Sequence, residues 1–395
     1  MSDEWVETTL KEVAIVNPRE GALSQDAPFI TMADVQEWGV WAAPSGPRGE
    51  RGGIRARGGD TLVARITPCL ENGKIAMVPQ EYDAVGGSTE FIVLRAGDQV
   101  LPEFLFRWAT STATHQAAVG LMTGTTGRQR VSANDLTGLP LLLPPLPVQR
   151  RIVDLMAHLD NHLANLRAEL ETLYAALDGL SVDLLSASEK WARSTLGEVS
   201  EVRLGRMLSR ERATGDDLAP YIRNANVQWG GLDLSDLKLM NFPDKERKTY
   251  ALLAGDILVC EGGDPGRAVL LQDDLPGIFY QKALHRVRAG SQVLPGFLFE
   301  VIWRAYRDGG IADLCTNTTI KHLTAEKFRT LEVWVPPLEA QEHVYEVLAD
   351  TRTALAVLAA ECESVENMRS SLVKSLVSGA LQLPTTYDSF LDSVA

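Results

Sequence analysis

Most of what the first half of this chain says is said again about 192 residues later. Trp5, Thr9, Leu10, Glu12 and Val13 return as Trp191, Thr195, Leu196, Glu198 and Val199. Pro28-Phe-Ile returns as Pro220-Tyr-Ile, and Gly59-Asp60 with Leu62-Val63 returns as Gly255-Asp256 with Leu258-Val259. The run from Arg95 to Phe106 is nearly repeated from Arg288 to Phe299. Pro144-Pro145-Leu146 with Gln149 returns as Pro336-Pro337-Leu338 with Gln341. Solenoid units repeat every 20–50 residues or so, so this period is a duplicated domain. Two such halves can present two similar binding faces in a fixed relation.

Each copy ends in a long helical pattern. Ile152, Met156, Leu159, Leu163, Leu166, Leu170, Leu173, Leu177, Leu180 and Leu184 step by four and three without a miss, with mostly charged or small residues between them. That is a heptad seam. The second seam runs through Val344, Leu348, Leu355, Leu358, Cys362, Val365, Leu372 and Leu376, with Thr351 and Arg369 weakening it. Proline is tolerated at a helix start and not inside, so each diproline marks a sharp entry. Gly379 and Pro384 end the second pattern. A seam on a helix of roughly 57 Å needs a partner, and the other copy is the nearest one. Antiparallel pairing would put the globular halves at opposite ends of one rod. The alternative is that each helix packs on its own domain. His158 and His162 lack a third ligand and read as a solvated pair flanking the seam.

The expected segments are 1–145, a globular domain; 146–189, a helix; 190–337, a second domain; 338–383, a second helix; and 384–395, a tail. The fold class is α+β: two mixed α/β domains joined by two long helices in an antiparallel coiled coil, with an internal pseudo-two-fold repeat. Strands are predicted at 60–65, 90–95, 139–143, 256–260 and 330–335, and helices at 102–118 and 295–308. Gly59-Asp60 and Gly255-Asp256 read as turns entering strands.

Composition is that of a globular protein, 45% hydrophobic and 23% charged. No apolar run reaches 18 residues and no basic-then-apolar leader is seen, so a cytoplasmic protein without a membrane span is expected. Four scattered cysteines without a CxxC pair fit reduced thiols and no zinc ribbon. A net charge of −14 weighs against nucleic acid, although a local basic patch can still make a footprint.

Such patches lie where the copies diverge. The loop 46–57 holds Arg48, Arg51, Arg55 and Arg57, and its counterpart 244–250 holds Lys245, Arg247 and Lys248. Thr123–Arg130 carries Arg128, Gln129 and Arg130, whereas 316–322 carries Thr318, Thr319, Lys321 and His322. Lys74 faces Arg267, and Arg223, Asn224 and Asn226 stand where the first copy has Thr31, Met32 and Asp34. Arg suits guanine and Asn or Gln adenine in bidentate fashion, while Thr, Lys and glycine amides suit phosphate. A shared scaffold with divergent polar loops is what readers of two different half-sites need.

No catalytic motif appears. Glu261–Arg267 lacks the Lys-Ser/Thr of a phosphate-binding loop. A GxGxxG cofactor fingerprint, GxSxG and HExxH are absent. Asn17-Pro18-Arg19 lacks the second proline and aromatic of an amino-methyltransferase loop. The chain is therefore expected to carry no active site and no metal.

Two copies of a globular domain, each closed by a strand, Pro-Pro-Leu-x-x-Gln and a leucine-rich helix, resemble the DNA-specificity subunit of type I restriction-modification systems. The resemblance covers about residues 5–383, and rests most on Leu143–Ile152 and Val335–Gln341. It implies two target-recognition domains that each read half of a split, asymmetric sequence in double-stranded DNA, and a helix pair that sets the gap. It also implies two modification subunits holding S-adenosylmethionine and methylating adenine, with room for two ATP-driven restriction subunits; S-adenosylmethionine, ATP and Mg would sit on those partners. Gln341-Glu342-His343 departs from the basic run at 149–152. A specificity subunit of a type IIB-like system, or a coiled-coil scaffold protein that does not bind DNA, are the alternatives.

Overall fold

Each globular half is tied shut by its own ends, and the tie is what launches the long helix. The computed structural model describes residues 5–125, 127–186, 190–208, 218–316, 321–384 and 386–387. They form two compact units, residues 1–166 with 361–395 and residues 167–360. In the first unit, strand Val6–Thr9 pairs antiparallel with Pro140–Leu143. In the second, Ala192–Thr195 pairs with Glu332–Val335 in the same way. Each pair is followed at once by a diproline and a helix, Leu146–Leu185 or Leu338–Val377.

Inside this closure both units repeat one topology. An antiparallel four-stranded sheet runs Ala14–Val16, Phe91–Ala96, Thr61–Ala64, Ile75–Met77 in the first unit. The second unit has Ser200–Leu204, Leu284–Ala289, Ile257–Cys260, Ala268–Leu270. A second sheet in each contains a parallel pair, Pro28–Ile30 with Val85–Gly87 and Leu218–Ile222 with Phe279–Tyr280. The Gly-Asp turns have a structural task. Asp60 is buried, accepts the Arg57 backbone N–H at 2.9 Å and pairs with Arg95 Nε and Nη2 at 2.8 and 2.6 Å. Asp256 repeats this with the Leu253 N–H and Arg288.

The helix expected over 102–118 is two helices, Pro102–Thr110 and Thr112–Gly120. Ser111 adopts extended backbone and its hydroxyl accepts the Thr114 N–H, starting a new helix. In the other copy Pro295–Arg307 is continuous until Gly309, whose φ of 82° ends it.

The seam residues are mostly buried, but they serve two purposes. In the first unit Val148, Ile152 and Met156, at the start of the first long helix, share a core with Phe104, Leu141 and Leu143. Val373, Leu376 and Val377, from the end of the second long helix, join the same core. In the second unit Leu177 packs with Phe297, Trp303, Val344, Leu348 and Leu355. Helix pairing and packing on the own domain therefore occur together, and the boundary between units falls inside both helices. Arg369, a charge on the seam, reaches Asp160 at 2.5 Å, and Asp160 also pairs with buried Arg107. His158 Nδ1 contacts the Asp154 carbonyl and His162 lies 4.0 Å from Glu361. No helix among the described residues is long and apolar enough to cross a membrane.

Gln149 explains the diproline motif. It is wholly buried; its Oε1 accepts the Leu101 N–H at 2.8 Å, and its Nε2 donates to the carbonyls of Gln99 and Pro144 at 2.9 and 2.8 Å. Gln341 makes the same three bonds, to Leu294, Gln292 and Pro336. A buried polar group left unpaired costs about 1–3 kcal/mol. Gln149→Ala orphans three backbone groups and should lower the unfolding free energy by about 2–4 kcal/mol in a denaturant titration. Gln149→Glu keeps the acceptor but buries a charge and loses both donors, so it should fare no better.

His285 gives a pH signature. It is buried, donates from Nε2 to the Leu323 carbonyl at 2.7 Å, and its Nδ1 has no partner. Burial holds its pKa below the ordinary 6.5. The unfolded chain then binds the proton more readily than the folded one. The stabilisation is complete above 6.5 and is lost as pH falls from there through the folded value. Thermal unfolding from about pH 7.5 to about pH 5.5, around the histidine midpoint, should show a larger loss for the native chain than for His285→Gln. Equal losses would mean that His285 does not titrate in this way.

Candidate nucleic-acid interface

In each unit three pieces of chain meet at the exit of one core strand. In the first unit that strand is Thr61–Ala64, and the chain leaving it carries Arg65, Ile66 and Thr67. Against it lies a hairpin of Thr123–Thr125 and Arg128–Arg130, in the register Thr123↔Arg130 and Thr125↔Arg128. The hairpin is pinned by an Ile66↔Arg130 bridge and by bonds between Thr67 and Gln129, both 3.1 Å. Side chains alternate along a strand, so Arg128 and Arg130 share a face opposite Gln129.

The third piece is the segment 31–41. Lys74 Nζ donates to the Met32 carbonyl at 2.9 Å, Asn72 to Glu37 at 2.8 Å, and the Trp38 N–H to Gly73. Trp38 has a φ of 58°, lies over Gly73 and meets His115 edge-on, with its indole half exposed.

The second unit repeats the meeting with other residues. Here the chain leaving Ile257–Cys260 is pinned to residues 322–323 by a Gly262↔His322 bridge and by the Leu323 N–H on the Glu261 carbonyl. Asn224 Nδ2 donates to the Gly262 carbonyl at 2.6 Å and Arg267 to the Asn224 carbonyl at 3.0 Å. Lys321 and His322 are exposed; Thr318 and Thr319 lie outside the described residues.

Several expected readers are occupied by their own fold. Asn226 is buried, its Oδ1 accepting the Arg223 N–H and its amide donating to the Asp233 carbonyl. It caps a turn as Asp34 does in the first copy, where the Thr31 N–H is 2.6 Å away, so it is not free to meet a base. Arg223 is bound to Asp236 at 2.8 Å. Arg51 folds back on the carbonyls of Pro47 and Arg48 and lies 4.1 Å over the Phe29 ring, and Arg55 donates to the Glu20 carbonyl. Arg247 donates to the Phe242 carbonyl. The loop 46–57 carries two strands of the second sheet, and in the other copy Asp244–Arg247 is a short helix. Arg57, Arg128, Lys245, Lys248 and Lys321 are exposed with no side-chain partner among the described residues, and Arg48 is half-buried and likewise unpartnered.

Sequence reasoning missed Glu90. It stands just before the strand Phe91–Ala96, and its two oxygens take Arg130 Nε and Nη2 at 3.0 and 2.8 Å. The Arg130 guanidinium holds the Glu90 carboxyl below the usual carboxylate range, and Glu90 raises Arg130 in turn. Nothing in local spacing links positions 90 and 130; only the sheet does.

Residues 2–173 and 188–367 match the family described as type I restriction modification DNA specificity domain. The chain is 20% identical over 281 residues to the specificity subunit of the type I restriction enzyme MjaVIII of Methanocaldococcus jannaschii, covering 65% of this chain and 66% of that protein. It is 29% identical over 221 residues to the EcoAI specificity subunit of Escherichia coli, covering 49% of this chain and 36% of that one. The chain thus spans at most about two thirds of these relatives' lengths. Its fold is similar to the crystal structure of a type I restriction-modification system S subunit from M. genitalium. That match has a TM-score of 0.61 and 16% identity, and covers 95% of this chain and 96% of that one. With two matched regions over most of its length, in the order that the repeat sets out, this chain belongs to the type I restriction modification DNA specificity domain family.

Proposed function

We propose that the chain is the sequence-reading subunit of a type I restriction-modification complex, binding a bipartite, asymmetric site in double-stranded DNA. The observation that carries this is that in both units the exit of one core strand is bridged to a later segment and bonded to a turn, one scaffold offering different polar residues in each copy. The first surface offers Arg128 and Arg130, the second Lys321 and His322. The chain performs no chemistry itself. Methyltransferase subunits carrying S-adenosylmethionine, two in number, bind it in the cytoplasm; ATP- and Mg-dependent restriction subunits complete the complex. The two long helices act as the spacer, and the five segments read along the sequence are its working parts.

The first test uses the full chain and a randomised duplex library. Arg128→Ala should cost about 1–3 kcal/mol at one base pair if it reads guanine, relaxing preference there alone. If it touches phosphate instead, binding should weaken for all sequences alike and the salt slope should fall by about one. Unchanged affinity and preference would show that this hairpin does not face DNA.

The second test concerns the gap. Each long helix has 40 residues, or about 60 Å, and half-sites on one face of DNA recur about every 34–36 Å. One heptad inserted in 159–184 and its match in 348–372 should lengthen the gap and leave both half-sequences alone. Mapping of methylated sites that finds the old gap would rule out the spacer role.

A further inference from the structure

The carboxylate on the first surface needs a reason. A glutamate beside Arg130 and Arg65 repels phosphate, and it cancels the charge of the arginine that it binds. Its backbone is held on both sides, its N–H on Ser88 Oγ at 3.2 Å and its carbonyl taking the Arg65 N–H at 2.9 Å. Arg130 is held by the Ile66 bridge. Glu90 takes the Nε–Nη2 edge of the guanidinium. That leaves the Nη1–Nη2 edge, the two-pronged edge that matches O6 and N7 of guanine. Both side chains stay partly open, 43% for Arg130 and 28% for Glu90. An exposed ion pair adds only about 0–1 kcal/mol to stability, so stability is a weak reason for placing one here.

We propose that Glu90 is a specificity-determining residue of the first surface: it aims Arg130 at guanine and itself accepts from the N4 amine of the paired cytosine. The two side chains then read one G·C pair as a unit, since Arg suits guanine and Glu accepts from cytosine N4. The second copy has Ala283 at the matching position, five residues before Arg288 as Glu90 is five before Arg95, so this device belongs to the first surface alone. The proposal rests on the DNA-reading role given above, and its test is arranged to tell the two apart.

The full chain, as native protein and as Glu90→Gln, Arg130→Ala and Arg128→Ala, is challenged with the randomised duplex library at several salt concentrations. Glu90→Gln should lose roughly 10-fold or more of its G·C preference at one position, the same position that Arg130→Ala relaxes. Its affinity for unrelated duplex should rise, because a negative charge has gone. Unchanged preference in Glu90→Gln, with binding weakened in Arg128→Ala or Arg130→Ala, overturns the proposal and leaves the surface in place. A uniform loss at every position, with a lowered melting temperature, overturns it as well by making Glu90 a mere support. No response from any hairpin variant, or no sequence preference in the native chain, removes the DNA-facing role itself and the proposal with it.

Discussion

The structure depends on one buried side chain per copy, Gln149 and Gln341. Each long helix must leave its domain in a defined direction, and a diproline alone only prevents the strand from continuing. The glutamine supplies the rest. Three bonds, to a backbone N–H and two carbonyls, tie the first turn of the helix to the loop before Pro102 or Pro295 and to the diproline after the closing strand. With every polar atom of the amide satisfied in the interior, a small displacement of the helix would leave groups unpaired at about 1–3 kcal/mol each. That gradient, rather than the apolar seam, sets where the helix begins.

Further along, charges finish what the seam leaves undetermined. Arg107 is buried on the helix Pro102–Thr110 and pairs with Asp160, which also takes Arg369. Three residues past Phe297, as Arg107 is past Phe104, the second copy has Glu300, wholly buried and paired with Arg352 at 2.7 Å. Burial lifts the Glu300 carboxyl above its ordinary pKa against the pull of Arg352. The two copies thus use the same contact with opposite polarity. Buried pairs contribute little net stability, but removing one partner costs about 3–5 kcal/mol, so each such pair opposes an exchanged partner strongly.

The arginine-rich loop 46–57 stands out most in the sequence, yet two of its four arginines are taken up by their own chain. Arg51 and Arg55 spend their donors on carbonyls of their own chain. The quieter hairpin Thr123–Arg130 keeps its arginines outward because a two-stranded ribbon has no interior to hide them in. Asn226 shows the converse. Its residue type suits adenine, but three residues from Arg223 it caps a turn, a task that Asp34 performs in the other copy.

The sequence by itself determined the duplication, the closing strands, the start of both long helices and the seam that pairs them. All of these are local or periodic properties, written in the spacing of apolar residues and the position of prolines. Even Arg369, read there as a flaw in the seam, could be located, though not its partner Asp160. Tertiary structure alone decided which polar residues remain outside. Whether an arginine meets solvent, a carbonyl or a carboxylate depends on what the fold brings beside it, as Glu90 is brought to Arg130 across 40 residues. Helix and strand patterns carry no record of such meetings, because each is fixed by the packing of two sheets and a hairpin rather than by the neighbours of either residue along the chain.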